Sequence, residues 1–120
     1  MSSKLFNECE MFEKMASELV FAKPSHGAEL VHLFNQMRKE KISVPNGLFY
    51  TGKLLESGRG ISEGEAIELV KTLQAVWKMG FFDPKNEDHT DQPLLLKDDW
   101  IRLKLLIHDL RNEFFPVVAK

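Results

Sequence analysis

The sequence predicts an all-α fold: a single compact bundle of four to five amphipathic helices spanning residues 1–120. Three observations predict it. Apolar residues recur at steps of three and four along most of the chain, no segment shows the apolar–polar alternation of a strand, and Ser62 followed by Glu65 forms a capping box that starts a helix. With 43% hydrophobic and 28% charged residues the composition is that of an ordinary globular protein. A chain of 120 residues buries enough surface to fold without a disulfide or metal.

The first element follows from Leu5, Cys9, Phe12, Ala16 and Leu19, a stripe widened by Phe6, Met15 and Val20; it predicts a helix over Leu5 to Val20, stopped by Pro24. Ser25 is then placed to cap a second helix with Ala28, Leu30, Val31, Phe34 and Met37 on one side. Arg38, Lys39 and Lys41 fall near its C-terminus, where cations suit the helix dipole. Pro45, Asn46 and Gly47 mark a connection, and Ser43 or Asn46 starts a short third helix that ends by Gly58. The helix begun at Ser62 presents Ala66, Leu69, Val70, Leu73, Val76 and Trp77 and stops at Gly80.

Residues 83–93 change character. They hold Asp83, Glu87, Asp88 and Asp91 against Lys85 alone, with two prolines and no apolar residue, and read as an acidic connector. Asp98 and Asp99 open the last helix, whose apolar positions Trp100, Ile101, Leu103, Leu106, Ile107, Leu110 and Phe114 run to Pro116. No internal repeat and no boundary between two cores is visible. The short links between the first three helices favour antiparallel neighbours.

Sixteen basic against eighteen acidic residues give a net charge of -2, so the chain has no general attraction for phosphate backbones or anionic membranes. A lone cysteine, Cys9, excludes an intramolecular disulfide and fits a reducing, cytoplasmic setting. The N-terminal sequence lacks the pattern of a secretory signal, no apolar run is long enough to span a bilayer, and neither end carries a lipidation motif. No membrane association is expected.

Several patterns touch on chemistry. Gly47, Gly52 and Lys53 have the spacing of a phosphate-binding loop, but Leu54 stands where a metal-binding hydroxyl belongs, the interior is aromatic, and no strand precedes it. Gly58-Arg59-Gly60 before the Ser62 helix is an anion candidate, with a helix-ending glycine and tight turn as the alternative. Glu29 and His32 make one Glu-x-x-His, half of a di-iron pattern; His108 supplies no second copy, and His26 and His89 lie near a helix start and in the connector. The connector lacks the spacing, central glycine and terminal glutamate of a calcium loop. Cys9 lies in an apolar stripe among Glu8, Glu10 and Glu13, which oppose thiolate formation, and reads as a structural thiol. A helix-turn-helix with residues 46–57 as reader offers one base, Lys53, too few to read base edges.

Two aromatic pairs remain, Phe81-Phe82 and Phe114-Phe115, each at a helix end. Adjacent helical residues do not share a face, so one member of each pair is expected in the core and the other at the surface as an interface anchor. The reading by elimination is a small cytoplasmic module that binds another protein as adaptor, inhibitor or regulatory subunit, without catalytic groups, metal or cofactor. Its interaction candidates are Phe82 and Phe115 with Asp83, Glu87, Asp88 and Asp91. The rival readings are nucleic-acid binding through a basic edge of Arg38, Lys39, Lys41 and Arg59, and a helical metal protein or enzyme using Glu29, His32 and His108. A homodimer is compatible with all three.

Overall fold

The computed structural model describes residues 19–83, 85 and 94–116. It is an all-α bundle. In chain order the described elements are β1 (Leu19–Val20), α1 (Pro24–Lys39), α2 (Gly47–Glu56), β2 (Ile61–Ser62), α3 (Glu63–Lys78), β3 (Phe81–Phe82), β4 (Leu95–Leu96) and α4 (Lys97–Phe114). Buried side chains of all four helices form one cluster, at whose centre Leu30, Leu33, Met37, Leu55, Leu73, Leu103 and Leu110 are fully buried. Among the described residues no helix is long and apolar enough to cross a membrane.

Helices α1 and α2 form an antiparallel pair. Gly27 faces Leu55 and Glu56, Gly52 faces Leu30 and Val31, and the Phe34 and Phe49 rings meet at 5.6 Å, so contacts run backward along α2 as they run forward along α1. The approach is closest at Gly27, where a Cβ would lie 2.6 Å from the Leu55 carbonyl carbon and 2.7 Å from Glu56 Cα. Glycine is required there by space alone. Helix α4 packs against both α3 and α1 and joins the two halves of the bundle.

The helix ends show how local chemistry sets these boundaries. Helix α1 begins at Pro24, one residue before the expected cap: proline needs no N–H partner in the first turn and its fixed φ suits the first helical position, so Lys23 takes the cap position and Ser25 lies inside the turn. At the other end Lys41 adopts φ 63°, while the Ile42 N–H donates to Met37 O at 2.8 Å and the Lys41 N–H to Arg38 O at 3.0 Å. This is a Schellman closure, with buried Ile42 packed over buried Met37 and a lysine where glycine is usual. Helix α2 closes in the same way on Gly58, φ 80°, through Gly58 N–H to Leu55 O and Arg59 N–H to Leu54 O. Ser62 caps α3, its Oγ accepting from the Glu65 N–H at 3.1 Å, and Gly80, φ 94°, follows the α3 end.

The structure corrects three expectations. Leu19 and Val20 are not helical: they pair antiparallel with Ser62 and Ile61, and Phe81 and Phe82 pair in parallel with Leu95 and Leu96. Two-residue strands are too short to show alternation, and the β-branched and aromatic side chains in them suit extended backbone. The remainder of the expected first helix, residues 5–18, lies outside the described residues. Ala28 and Ile101 are exposed, because the buried stripes run through Gly27, Leu30, Leu33, Phe34 and Met37 in α1 and through Leu103, Leu106, Ile107, Leu110 and Phe114 in α4.

Candidate functional site

Helix α4 divides its polar residues between two faces. Toward α1 it offers Arg102, Asp109 and Glu113. The Arg102 guanidinium grips Glu29 with both arms, Nε to Oε1 at 2.9 Å and Nη2 to Oε2 at 3.1 Å, while its Nη1 stands 3.3 Å from His32 Nε2. The Glu-x-x-His pair of α1 is therefore held by a cation from α4. Nearer the α1 start, His26 Nδ1 lies 2.7 Å from Glu113 Oε1 and Nε2 lies 3.3 Å from Asp109 Oδ2; Glu113 also accepts the Lys23 N–H at 3.1 Å. His108 is mostly exposed beside Asp109 and apart from Glu29 and His32. Among the described residues no group of three or more His, Cys, Asp or Glu side chains could hold a metal ion.

Toward α3 the same helix presents Lys104, Ile107, His108, Arg111 and Asn112, followed by Phe115 at the helix cap. With Gln74, Trp77 and Lys78 of α3 they enclose a groove of about 600 Å³. Its floor is apolar: Ile107 is buried, and Trp77 and Phe115 are half-buried. Its rim is cationic. Among the described residues Lys78, Lys104 and Arg111 line the groove and no acid does, although the whole chain carries a net charge of -2. The size lies within the range of pockets that enclose ligands or side-chain anchors.

The groove has a rigid wall. The Trp77 and Trp100 rings stack at 4.9 Å with planes 9° apart, the Trp100 Nε1–H donates to Trp77 O at 2.8 Å, and Phe81 leans on Trp100 at 5.1 Å. Lys104 Nζ stands 5.5 Å over the Trp77 ring, which holds a cation at the groove edge. The Trp77 Nε1–H is buried without a hydrogen-bond partner among the described residues, an arrangement that is uncommon and costly for a buried donor.

The structure sorts the residues singled out by sequence. Phe115 lines the groove while Phe114 enters the core at 4% exposure. Phe81 is the exposed member of its pair and Phe82 is half-buried, since neighbours in a strand point to opposite sides. Asp83 is exposed and accepts the Lys85 N–H at 3.0 Å; Glu87, Asp88 and Asp91 lie outside the described residues, as do Cys9 and His89. The four basic-edge residues do not meet in one edge. Arg38, Lys39 and Lys41 sit where α1 ends, whereas Arg59 follows the α2 end, which the antiparallel pairing places beside Gly27 near the start of α1. Gly47, Gly52 and Lys53 lie within α2, with Gly52 buried against Val31, so they form helix rather than a phosphate loop.

Sequence reasoning missed the groove and the Arg102 clasp. A signal for the groove existed: Lys104, His108, Arg111 and Phe115 stand at i, i+4, i+7 and i+11, one face of α4, and Gln74, Trp77 and Lys78 share a face of α3. In comparison with known proteins, the chain matches no family model, no curated protein and no solved structure.

Proposed function

We propose that this protein is a cytoplasmic, non-enzymatic protein-binding module, acting as adaptor, inhibitor or regulatory subunit, and that the groove between α3 and α4 is its docking surface. One observation carries the reading: an apolar floor of Trp77, Ile107 and Phe115 inside a rim of Lys78, Lys104 and Arg111, with no lining acid among the described residues. Aromatic anchors in a partly desolvated groove supply affinity, and cations at the rim steer an acidic partner and fix its register. The rigid Trp77–Trp100 wall presents the surface without prior ordering, which lowers the entropic cost of docking. A reducing compartment accords with one cysteine in 120 residues.

Photo-cross-linking in cells tests this. A benzophenone amino acid at Asn112, on the groove, is expected to trap a discrete protein that resists nuclease and disappears in the double variant K104E/R111E. The same group at Tyr50, an exposed residue of α2, is the control. Identical adducts from both positions, or a groove adduct that nuclease removes, would refute the proposal.

A further inference from the structure

We infer that the outer face of α4 pairs two copies of this chain, with their α4 helices side by side and parallel. The inference stands apart from the groove reading, because it uses the face of α4 that lies between the groove and the α1 seam. Ile101, Leu105, His108 and Asn112 follow one another at steps of four, three and four, the spacing of a coiled-coil seam, and all four are exposed. Leu105 is 59% exposed and Ile101 39%, whereas Leu103, Leu106, Ile107 and Leu110 on the opposite side of the same helix are buried. An isoleucine and a leucine one turn apart on the solvent side gain by being covered, and a second copy supplies the same pair in return.

Charge beside the seam selects the occupant and its direction. Lys97, Lys104 and Arg111 flank it on the groove side, and Arg102 and Asp109 flank it on the α1 side. In an antiparallel pair each flank meets its own counterpart, so the three cations of one copy would face the three of the other. In a parallel pair the two different flanks meet, and Lys104 of each copy stands opposite Asp109 of the other, twice by the two-fold symmetry. A hollow of about 320 Å³ lies beside Leu105 with Glu29 and Asp109 in its lining, and it offers the place into which that lysine fits. The Asp109 side chain is 45% exposed, so it keeps acceptor capacity beyond its contact with His26. Lys97 comes opposite Arg102, a like-charge pair that the Glu29 carboxylate gripping Arg102 offsets. Asn112 meets Asn112, the polar seam pair that fixes register in two-stranded coils. With two apolar residues per copy in the seam the contact is weak, with a dissociation constant on the order of 0.1 mM.

Sedimentation velocity of the full chain, from about 10 µM to about 1 mM, reads the pairing. The weight-average mass is expected to rise from 13.8 kDa toward twice that value. Leu105→Asp, at an exposed position outside the groove lining, should hold it at the monomer mass with helical content unchanged. Lys104→Asp and Asp109→Lys should each abolish association, because the facing pair becomes two acids or two lysines. Mixing those two variants should restore it, since both facing pairs are then opposite in sign. A disulfide reads the direction: Asn112→Cys in a Cys9→Ala background should form linked dimers in a glutathione redox buffer, and Tyr50→Cys, equally exposed on α2, should not. The inference is overturned by a mass of 13.8 kDa across the range, by association that survives Leu105→Asp, by folded charge variants that fail to recombine, or by linkage that needs Ile101→Cys together with Asn112→Cys. Because Leu105→Asp leaves the groove lining intact, capture of another protein there succeeds or fails independently of this result.

Discussion

Replacing Gly27 with alanine should separate α1 from α2. The added Cβ would meet backbone atoms of α2, 2.6 Å from the Leu55 carbonyl carbon and 2.7 Å from Glu56 Cα, and would stand closer still to Glu56 N. Backbone cannot rotate away as a side chain can. Restoring ordinary van der Waals separation of 3.4 Å requires the helices to part by roughly 1 Å or slightly more, which strips contacts from Leu30, Leu55 and their neighbours. Overpacking of this kind costs about 3 kcal/mol, and the helix propensity gained by alanine returns somewhat under 1 kcal/mol, leaving a net loss of about 2 kcal/mol. In urea unfolding followed by circular dichroism the midpoint should fall with no change in slope, and the melting temperature should drop by roughly 8 °C. Two companions calibrate the result. Gly52→Ala meets mainly the Val31 side chain, at 2.9 Å, and should cost about 1 kcal/mol; Gly64→Ala meets nothing within 4 Å and should stabilise by about 0.5 kcal/mol. A Gly27→Ala protein as stable as the parent, or less affected than Gly52→Ala, would refute the close antiparallel approach of α1 and α2.

Lys41 and Ser62 offer tests at helix ends. Lys41 holds φ 63° as the αL residue of the α1 closure, so Lys41→Gly should raise stability by about 0.5–1 kcal/mol in the same urea assay, and a loss would show that the Lys41 side chain contributes more than its backbone costs. Ser62→Ala removes the acceptor for the Glu65 N–H and should cost about 1 kcal/mol; restoration by Ser62→Asp, and not by Ser62→Val, would identify capping as the cause.

What was legible in the sequence was local. The α3 start needs only Ser62 and Glu65, three residues apart, and its buried face needs only a period of 3.6, so both were readable. The start of α1 was less so, because Pro24 serves equally as the stop of a preceding helix or as the first residue of a new one, and only the path of the chain decides. The ladders joining Leu19–Val20 to Ile61–Ser62 and Phe81–Phe82 to Leu95–Leu96 depend on which distant segments meet, and two residues carry no periodicity. The groove is non-local as well. Its face on α4 could be read as Lys104, His108, Arg111 and Phe115, but nothing in the sequence sets that face against Gln74, Trp77 and Lys78 rather than against α1. Arg102 shows the same ambiguity: it stands near Lys104 in sequence, yet it is bound to Glu29 in the seam.

The division of charge on α4 bears on function more directly than the net charge does. Arg102, Asp109 and Glu113 face α1, where Glu29 and His26 take up their hydrogen-bonding capacity. Lys104 and Arg111 turn to the other side and share the groove with Lys78. Because the seam residues are engaged within the bundle, Asp109 and Glu113 are committed to α1 while the groove-facing cations Lys104 and Arg111 are presented to solvent. Screening at physiological ionic strength confines each charge to about 8 Å, so a ligand approaching the groove meets the local cations and not the overall charge of -2. On the proposed docking role, an acidic segment with apolar anchors would gain from both parts of this surface: its carboxylates would meet the rim, and its aromatic side chains would meet Trp77 and Phe115. A purely anionic ligand would leave that apolar floor wet, and a purely apolar one would have to desolvate three cations without compensation.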